Sequence, residues 1–166
     1  MDSDIFATGL SWEAYLASMT SERALLASKV AGFHLPPDEA AFWAGYPQPL
    51  NVLIFTEDWC QDSVTALPPL VAVARTAPSI TLRVQRRSEA TGLARALLKR
   101  EYPPVPVFLF YDAAFHELGR FIASPVGWDE VMADSEQRVW LRSDPALYDA
   151  LWAELELAQF RAIVGG

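Results

Sequence analysis

The chain has 166 residues, 52% hydrophobic and 20% charged, a balance that fits one packed domain able to bury a core unaided. With 21 Asp and Glu against 13 Lys and Arg the formal charge is −8, which argues against nucleic acid and against anionic membrane surfaces, since both recruit Lys and Arg. A single cysteine rules out an internal disulfide and any zinc site built on several thiolates.

The start, Met1-Asp2-Ser3-Asp4, lacks the basic and then apolar order of a secretory signal and is too acidic for a transit peptide. No stretch approaches the ~18 uninterrupted apolar residues of a bilayer span. The expectation is a cytoplasmic protein.

In chain order, Ser11 opens a short helix with Trp12, Tyr15, Leu16 and Met19 at helical spacing. Thr20 or Ser21 is placed to cap a second helix carrying Leu25, Leu26 and Val30 and ending near Gly32. Pro36-Pro37-Asp38-Glu39 starts a third, which stops by Gly45-Tyr46-Pro47. Asn51 to Thr56 is a continuous apolar and β-branched run, the pattern of a strand buried on both faces. Glu57-Asp58-Trp59 then turns into a helix from about Cys60 to Ala74.

Ser79 to Arg86 alternates as a second strand, and Ser88 to Tyr102 reads as a helix capped by Ser88. Val105 to Tyr111 is a third strand, and Asp112-Ala113-Ala114 turns it into a fourth from Phe115 to Ile122. Two helices follow, one from about Trp128 and one after the Ser143-Asp144-Pro145 cap. The last is striped by Leu147, Leu151, Leu155, Ala158 and Ala162, with Tyr148, Trp152 and Ile163 widening its face. The order is three helices, β-α-β-α-β-β, then two helices. A right-handed crossover makes the first two strands parallel neighbours.

Cys60 stands where the buried strand ends and a helix begins. The helix dipole and unpaired N–H groups there favour a thiolate, whereas Glu57, Asp58 and Asp62 favour the thiol. Sequence leaves the net sign open. Ser63, one turn on, is placed to donate its hydroxyl to the sulfur. A small buried hydrophobe is the bland alternative for this cysteine.

The segment Glu57-Asp58-Trp59-Cys60-Gln61-Asp62-Ser63 after a buried strand resembles the active-site segment of thioredoxin-like proteins, where Trp-Cys-x-x-Cys occupies this bend. Pro68, eight residues beyond the cysteine, matches the proline of the family's active-site helix, and Val105-Pro106 matches its cis-proline. The resemblance covers roughly Leu50 to Ile122 and is closest to bacterial members with an acidic-Trp-Cys-x-Asp segment and an added helical region.

It implies an α/β thioredoxin-like fold, a central mixed sheet flanked by helices, as one domain. Residues 1–49 form an N-terminal helical extension, 50–122 the core and 123–166 the C-terminal helices. It also implies a cis Val105–Pro106 bond facing Cys60, with the Val105 backbone free to pair with a thiol-bearing peptide as an added strand. Trp59 is then either a platform beside the thiol or a surface-covering aromatic.

Two departures matter. Ser63 stands where the family has its resolving cysteine, and Ile54 where thioredoxins bury a carboxylate. Loss of both together removes the second chemical step and leaves the first. The expectation is a monothiol protein: Cys60 attacks mixed disulfides, and an external thiol such as glutathione resolves them. No other cofactor and no metal is expected; His34 and His116 lack partners at ligand spacing. The partners expected are protein or small-molecule thiols and disulfides. The alternative is a redox-inactive thioredoxin-fold module that binds a protein. Single-cysteine peroxide reduction ranks lower, because Glu57 stands three residues before the cysteine where such enzymes have threonine.

Arg83, Arg86 and Arg87 form the densest basic cluster, either a docking patch for an anionic thiol or a solvated face. Asp58 and Asp62 read as solvated charges complementing the helix N-terminus. The apolar stripes of the terminal helices read as cover for the sheet, with any exposed remainder available for a homodimer.

Overall fold

The computed structural model describes residues 1–165; Gly166, the end of the expected C-terminal extension, lies outside the described residues. Strand β1 (Leu50–Thr56) is buried at every position but Asn51, as its unbroken apolar run requires. It pairs in parallel with β2 (Ile80–Arg86) and antiparallel with β3 (Val107–Tyr111), which pairs antiparallel with β4 (Glu117–Ile122). The order β2-β1-β3-β4 is a mixed sheet. The parallel pair is joined by α5 (Gln61–Thr76), which carries Pro68 and Pro69 in its interior.

Successive side chains of a strand point to opposite faces, and each face has its own cover. On one, Val52, Ile54, Val84, Phe108, Phe110 and Phe121 meet α2 (Trp12–Ser18), α3 (Arg23–Gly32), α5 and α9 (Pro145–Gly165). On the other, Leu53, Phe55, Val107, Leu109 and Tyr111 are covered by Phe6 of α1 (Ser3–Ala7) and by Ala94 and Leu98 of α6 (Thr91–Leu98). The α/β architecture with added terminal helices is thus the one the sequence predicts.

α9 is seated by Phe160, whose ring lies 5.2 Å from Phe110 and 6.1 Å from both Phe108 and Phe121. Gly119 permits the close approach, because a Cβ there would stand 3.0 Å from Ile163. This seating corrects the predicted stripe. The buried face is Trp152, Ala153, Glu156, Leu157 and Phe160, while Ala158 and Ala162 are exposed. The helix is apolar nearly all round, so spacing alone could not choose its face. Glu156 is fully buried; one carboxylate oxygen accepts the Trp152 indole N–H at 2.8 Å and the other has no partner. Burial holds its carboxyl well above the ordinary range.

Other differences are local. A short α1, capped by Asp2, precedes the predicted helices. α4 (Pro37–Ala44) starts at Pro37 as expected and is tied to α9 by Glu39, which accepts from Trp43 at 3.1 Å and Arg161 at 3.0 Å. α3 begins after Glu22 in a left-handed conformation rather than at a Thr20 or Ser21 cap. α6 spans only Thr91–Leu98, so Ser88 does not cap it. The expected helix from Trp128 is two, α7 (Trp128–Ala133) and α8 (Ser135–Ser143), broken at Asp134, whose carboxylate accepts from Gln137 N at 2.7 Å. No described helix is long and apolar enough to cross a membrane.

Candidate functional site

β1 runs out at Thr56 and the chain bends through Glu57-Asp58-Trp59-Cys60 into α5. The bend closes on itself, with the Cys60 N–H donating to the Glu57 carbonyl at 3.1 Å. Cys60 is the N-cap residue of α5 in extended conformation, and its own carbonyl accepts the Val64 N–H at 3.2 Å. Its side chain makes no capping hydrogen bond. The thiol turns instead to the neighbouring loop, where Sγ lies 3.6 Å from the Val105 carbonyl oxygen.

The Val105–Pro106 peptide bond is cis, and the Pro106 carbonyl accepts Ala123 N–H at 2.8 Å. The structure therefore brings Cys60, Val105 and Pro106 together.

The thiol is buried, and one expectation is corrected. Cys60 is only 7% exposed, so its sulfur lies under neighbouring atoms, as the alternative of a buried cysteine has it. Ser63 does not donate to it: Ser63 is 2% exposed and its hydroxyl has no hydrogen-bond partner. In place of the expected donor to its sulfur, the Cys60 thiol itself donates to a backbone carbonyl 45 residues away. Trp59 is 58% exposed beside this buried thiol, with the Arg87 guanidinium 5.9 Å from its ring centre. Arg87 also donates to the Pro103 carbonyl at 3.2 Å, linking Trp59 to the loop that carries Val105.

The acidic neighbours are not free. Glu57, buried, accepts from the Ser88 N–H at 2.6 Å and the Ser88 hydroxyl at 3.3 Å, with Arg87 Nε at 3.9 Å. That bond is what diverts Ser88 from capping α6. Asp58, also buried, accepts from Arg86 Nε at 3.0 Å and Thr20 N–H at 2.9 Å. The expected solvated role fits Asp62 only in part, since it is exposed yet partial burial pushes its carboxyl above the ordinary range, and it does not fit Asp58.

The arginine cluster divides accordingly. The Arg86 side chain is 14% exposed and paired with Asp58, whereas Arg87 lies against Trp59. Sequence reasoning missed these pairings, though two adjacent acids before the thiol and two adjacent arginines ending a parallel strand were a signal for them. Among the described residues no group of three or more His, Cys, Asp or Glu is placed to hold a metal.

Chemically, the site offers one thiol at a helix N-terminus beside an exposed aromatic and a cis-proline loop, with no second thiol. Ile54, where thioredoxins carry a carboxylate, is fully buried among apolar side chains.

The full chain superimposes on a protein of unknown function from Pseudomonas aeruginosa with a TM-score of 0.81 at 24% identity, covering 100% of this chain and 99% of that one. An HIV epitope scaffold gives 0.80 at 22% identity, covering 99% and 97%. Both likenesses speak to the fold. No curated protein matches the sequence. A family described as Thioredoxin matches residues 9–137, most of the chain including the bend, the cis-proline loop and all four strands, and the protein belongs to that thioredoxin family.

Proposed function

We propose that the protein is a monothiol thiol-disulfide exchange protein in which Cys60 is the nucleophile and an external thiol completes the cycle. The observation that carries this is the 3.6 Å approach of the Cys60 sulfur to the Val105 carbonyl beside the cis Pro106. It puts the only thiol of the chain next to the backbone with which an extended substrate pairs. An S–H donor is weak, so little is lost when a substrate disulfide displaces that contact.

The Cys60 thiolate attacks one sulfur of a disulfide R–S–S–R′, forming Cys60–S–S–R and releasing R′S⁻, which takes a proton from solvent. A second thiolate R″S⁻, glutathione or another low-molecular-weight thiol, then attacks the R sulfur. Cys60 leaves as thiolate and R–S–S–R″ departs, so electrons balance without a second cysteine. Ser63 cannot serve as that second nucleophile, because an alcohol does not reduce a disulfide. Trp59, exposed beside the thiol, and the half-buried Val105, backed by the buried Pro106, form the surface against which the substrate rests.

A second reading rests on the 7% exposure of Cys60: the same surface binds a partner protein without redox chemistry, with Trp59 as its aromatic anchor. Turnover of a glutathione mixed disulfide separates the two. Cys60→Ser is expected to abolish turnover while leaving the fold intact. Equal turnover by wild type and variant contradicts the exchange function.

A further inference from the structure

Asp58 stands two residues before the thiol, and its carboxylate is the most heavily engaged in the bend. It accepts from Arg86 Nε at 3.0 Å and Nη2 at 3.4 Å, and from the Thr20 N–H at 2.9 Å and hydroxyl at 3.4 Å. Arg86 is itself fixed from the N-terminal side. Its Nη2 donates to the Ser18 hydroxyl at 2.8 Å, and its guanidinium lies 5.2 Å from the ring centre of the fully buried Tyr15. The socket is therefore built by α2, the turn after it and the last residue of β2. It also explains the late start of α3: the Thr20 N–H is turned to Asp58 rather than into a helix cap.

We propose that Asp58 is the positioning residue of the Cys60 thiol, and that the N-terminal helical extension, through Ser18, Thr20 and the Arg86 it anchors, is a working part of the thiol site. The proposal rests on Cys60 being the reacting group. A carboxylate so close in the chain would oppose a thiolate. Directed into the socket and neutralised by Arg86, it holds the bend without imposing that charge. The charged groups nearest the thiol along the chain and in the socket are Glu57 and Asp58 in the bend, Asp62 on α5, and Arg86 and Arg87 at the end of β2, with Arg86 also 3.9 Å from the exposed Glu89. Of the three acids, Glu57 is held by Ser88 and Arg87, Asp58 by Thr20 and Arg86, and Asp62 is exposed. Arg86 is the cation that covers Asp58, so its removal leaves that buried charge uncovered.

The test is the rate of Cys60 alkylation by iodoacetamide against pH, in the folded full-length protein, with melting temperature measured alongside. Arg86→Gln is expected to move the midpoint of the profile upward by about half a unit or more, in the direction a like charge imposes, and to slow alkylation at neutral pH several-fold. Asp58→Asn combined with Arg86→Gln removes both charges and is expected to bring the midpoint back toward wild type. Arg86→Lys, which keeps the charge, stays near wild type. A purely structural pair would lower the melting temperature in all three and leave the midpoint in place.

If Arg86→Gln does not fold, Ser18→Ala, which removes only one anchor of Arg86, is expected to give a smaller shift of the same sign. An unmoved midpoint in these variants, with wild-type Cys60 reacting normally, overturns the positioning role alone. Wild-type Cys60 that alkylates only after unfolding overturns the exchange function and the positioning role together.

Discussion

With exchange at Cys60 as proposed, Ser63→Cys is expected to convert the protein from one that waits for an external thiol into one that clears its own adduct. The position lies three residues beyond Cys60, in the first turn of α5, 2% exposed and with its hydroxyl unpartnered. Exchanging that oxygen for sulfur breaks no hydrogen bond among the described residues. Under the proposed cycle, a wild-type Cys60–S–S–R adduct is expected to persist until an external thiolate arrives. In the variant, the introduced thiol attacks the Cys60 sulfur, expels RS⁻ and closes an internal disulfide, with electrons conserved. Release without added thiol is expected to accelerate roughly a hundredfold or more, a modest share of what oriented intramolecular reactions gain. Mass spectrometry of the preformed glutathione adduct follows it directly. An adduct that survives as long in the variant as in wild type shows that the two positions do not meet.

The second large effect is on stability. Glu156 is fully buried, with one oxygen unpartnered and its carboxyl raised well above the ordinary range by burial. The folded chain therefore keeps this proton at pH values where the unfolded chain gives it up. Stability is unaffected below the ordinary glutamate range and falls as pH rises above it, until the folded group also ionises. The slope for one such group is about 1.4 kcal/mol per pH unit. Glu156→Gln keeps an oxygen for the Trp152 indole and removes the titration. Urea unfolding at several pH values should give similar stabilities at pH 4 and a gap in favour of the variant that widens toward neutral pH. Parallel pH profiles would mean that Glu156 is ionised in the folded protein.

The frame of the site was readable from three short signals in register: Trp59-Cys60 after an apolar run, Pro68 two turns into the helix, and Val105-Pro106 before the hairpin. Each is local, and strand, bend and helix follow from neighbouring residues. What escaped depends on partners far along the chain. Asp58 meets Arg86 and Thr20, 28 and 38 residues away, and no local pattern distinguishes it from the exposed Asp62. Ser88 looked like a helix cap because Ser commonly is one, yet Glu57 takes its N–H. That the Cys60 thiol donates to the Val105 carbonyl could not be inferred from the bend alone. Glu156 was hidden in a helix so apolar that its polar residues did not mark an outer face.

The Cys60 sulfur reacts as part of the folded protein, or it does not react at all in a functional sense. The deciding measurement is the rate at which glutathione disulfide modifies Cys60 across low urea concentrations, well below the unfolding transition. Reaction of the native state predicts a rate that stays flat over that range and disappears in Cys60→Ser. A rate that climbs with urea in proportion to the unfolded population would place the thiol beyond reach in the native state, and would contradict exchange at this site.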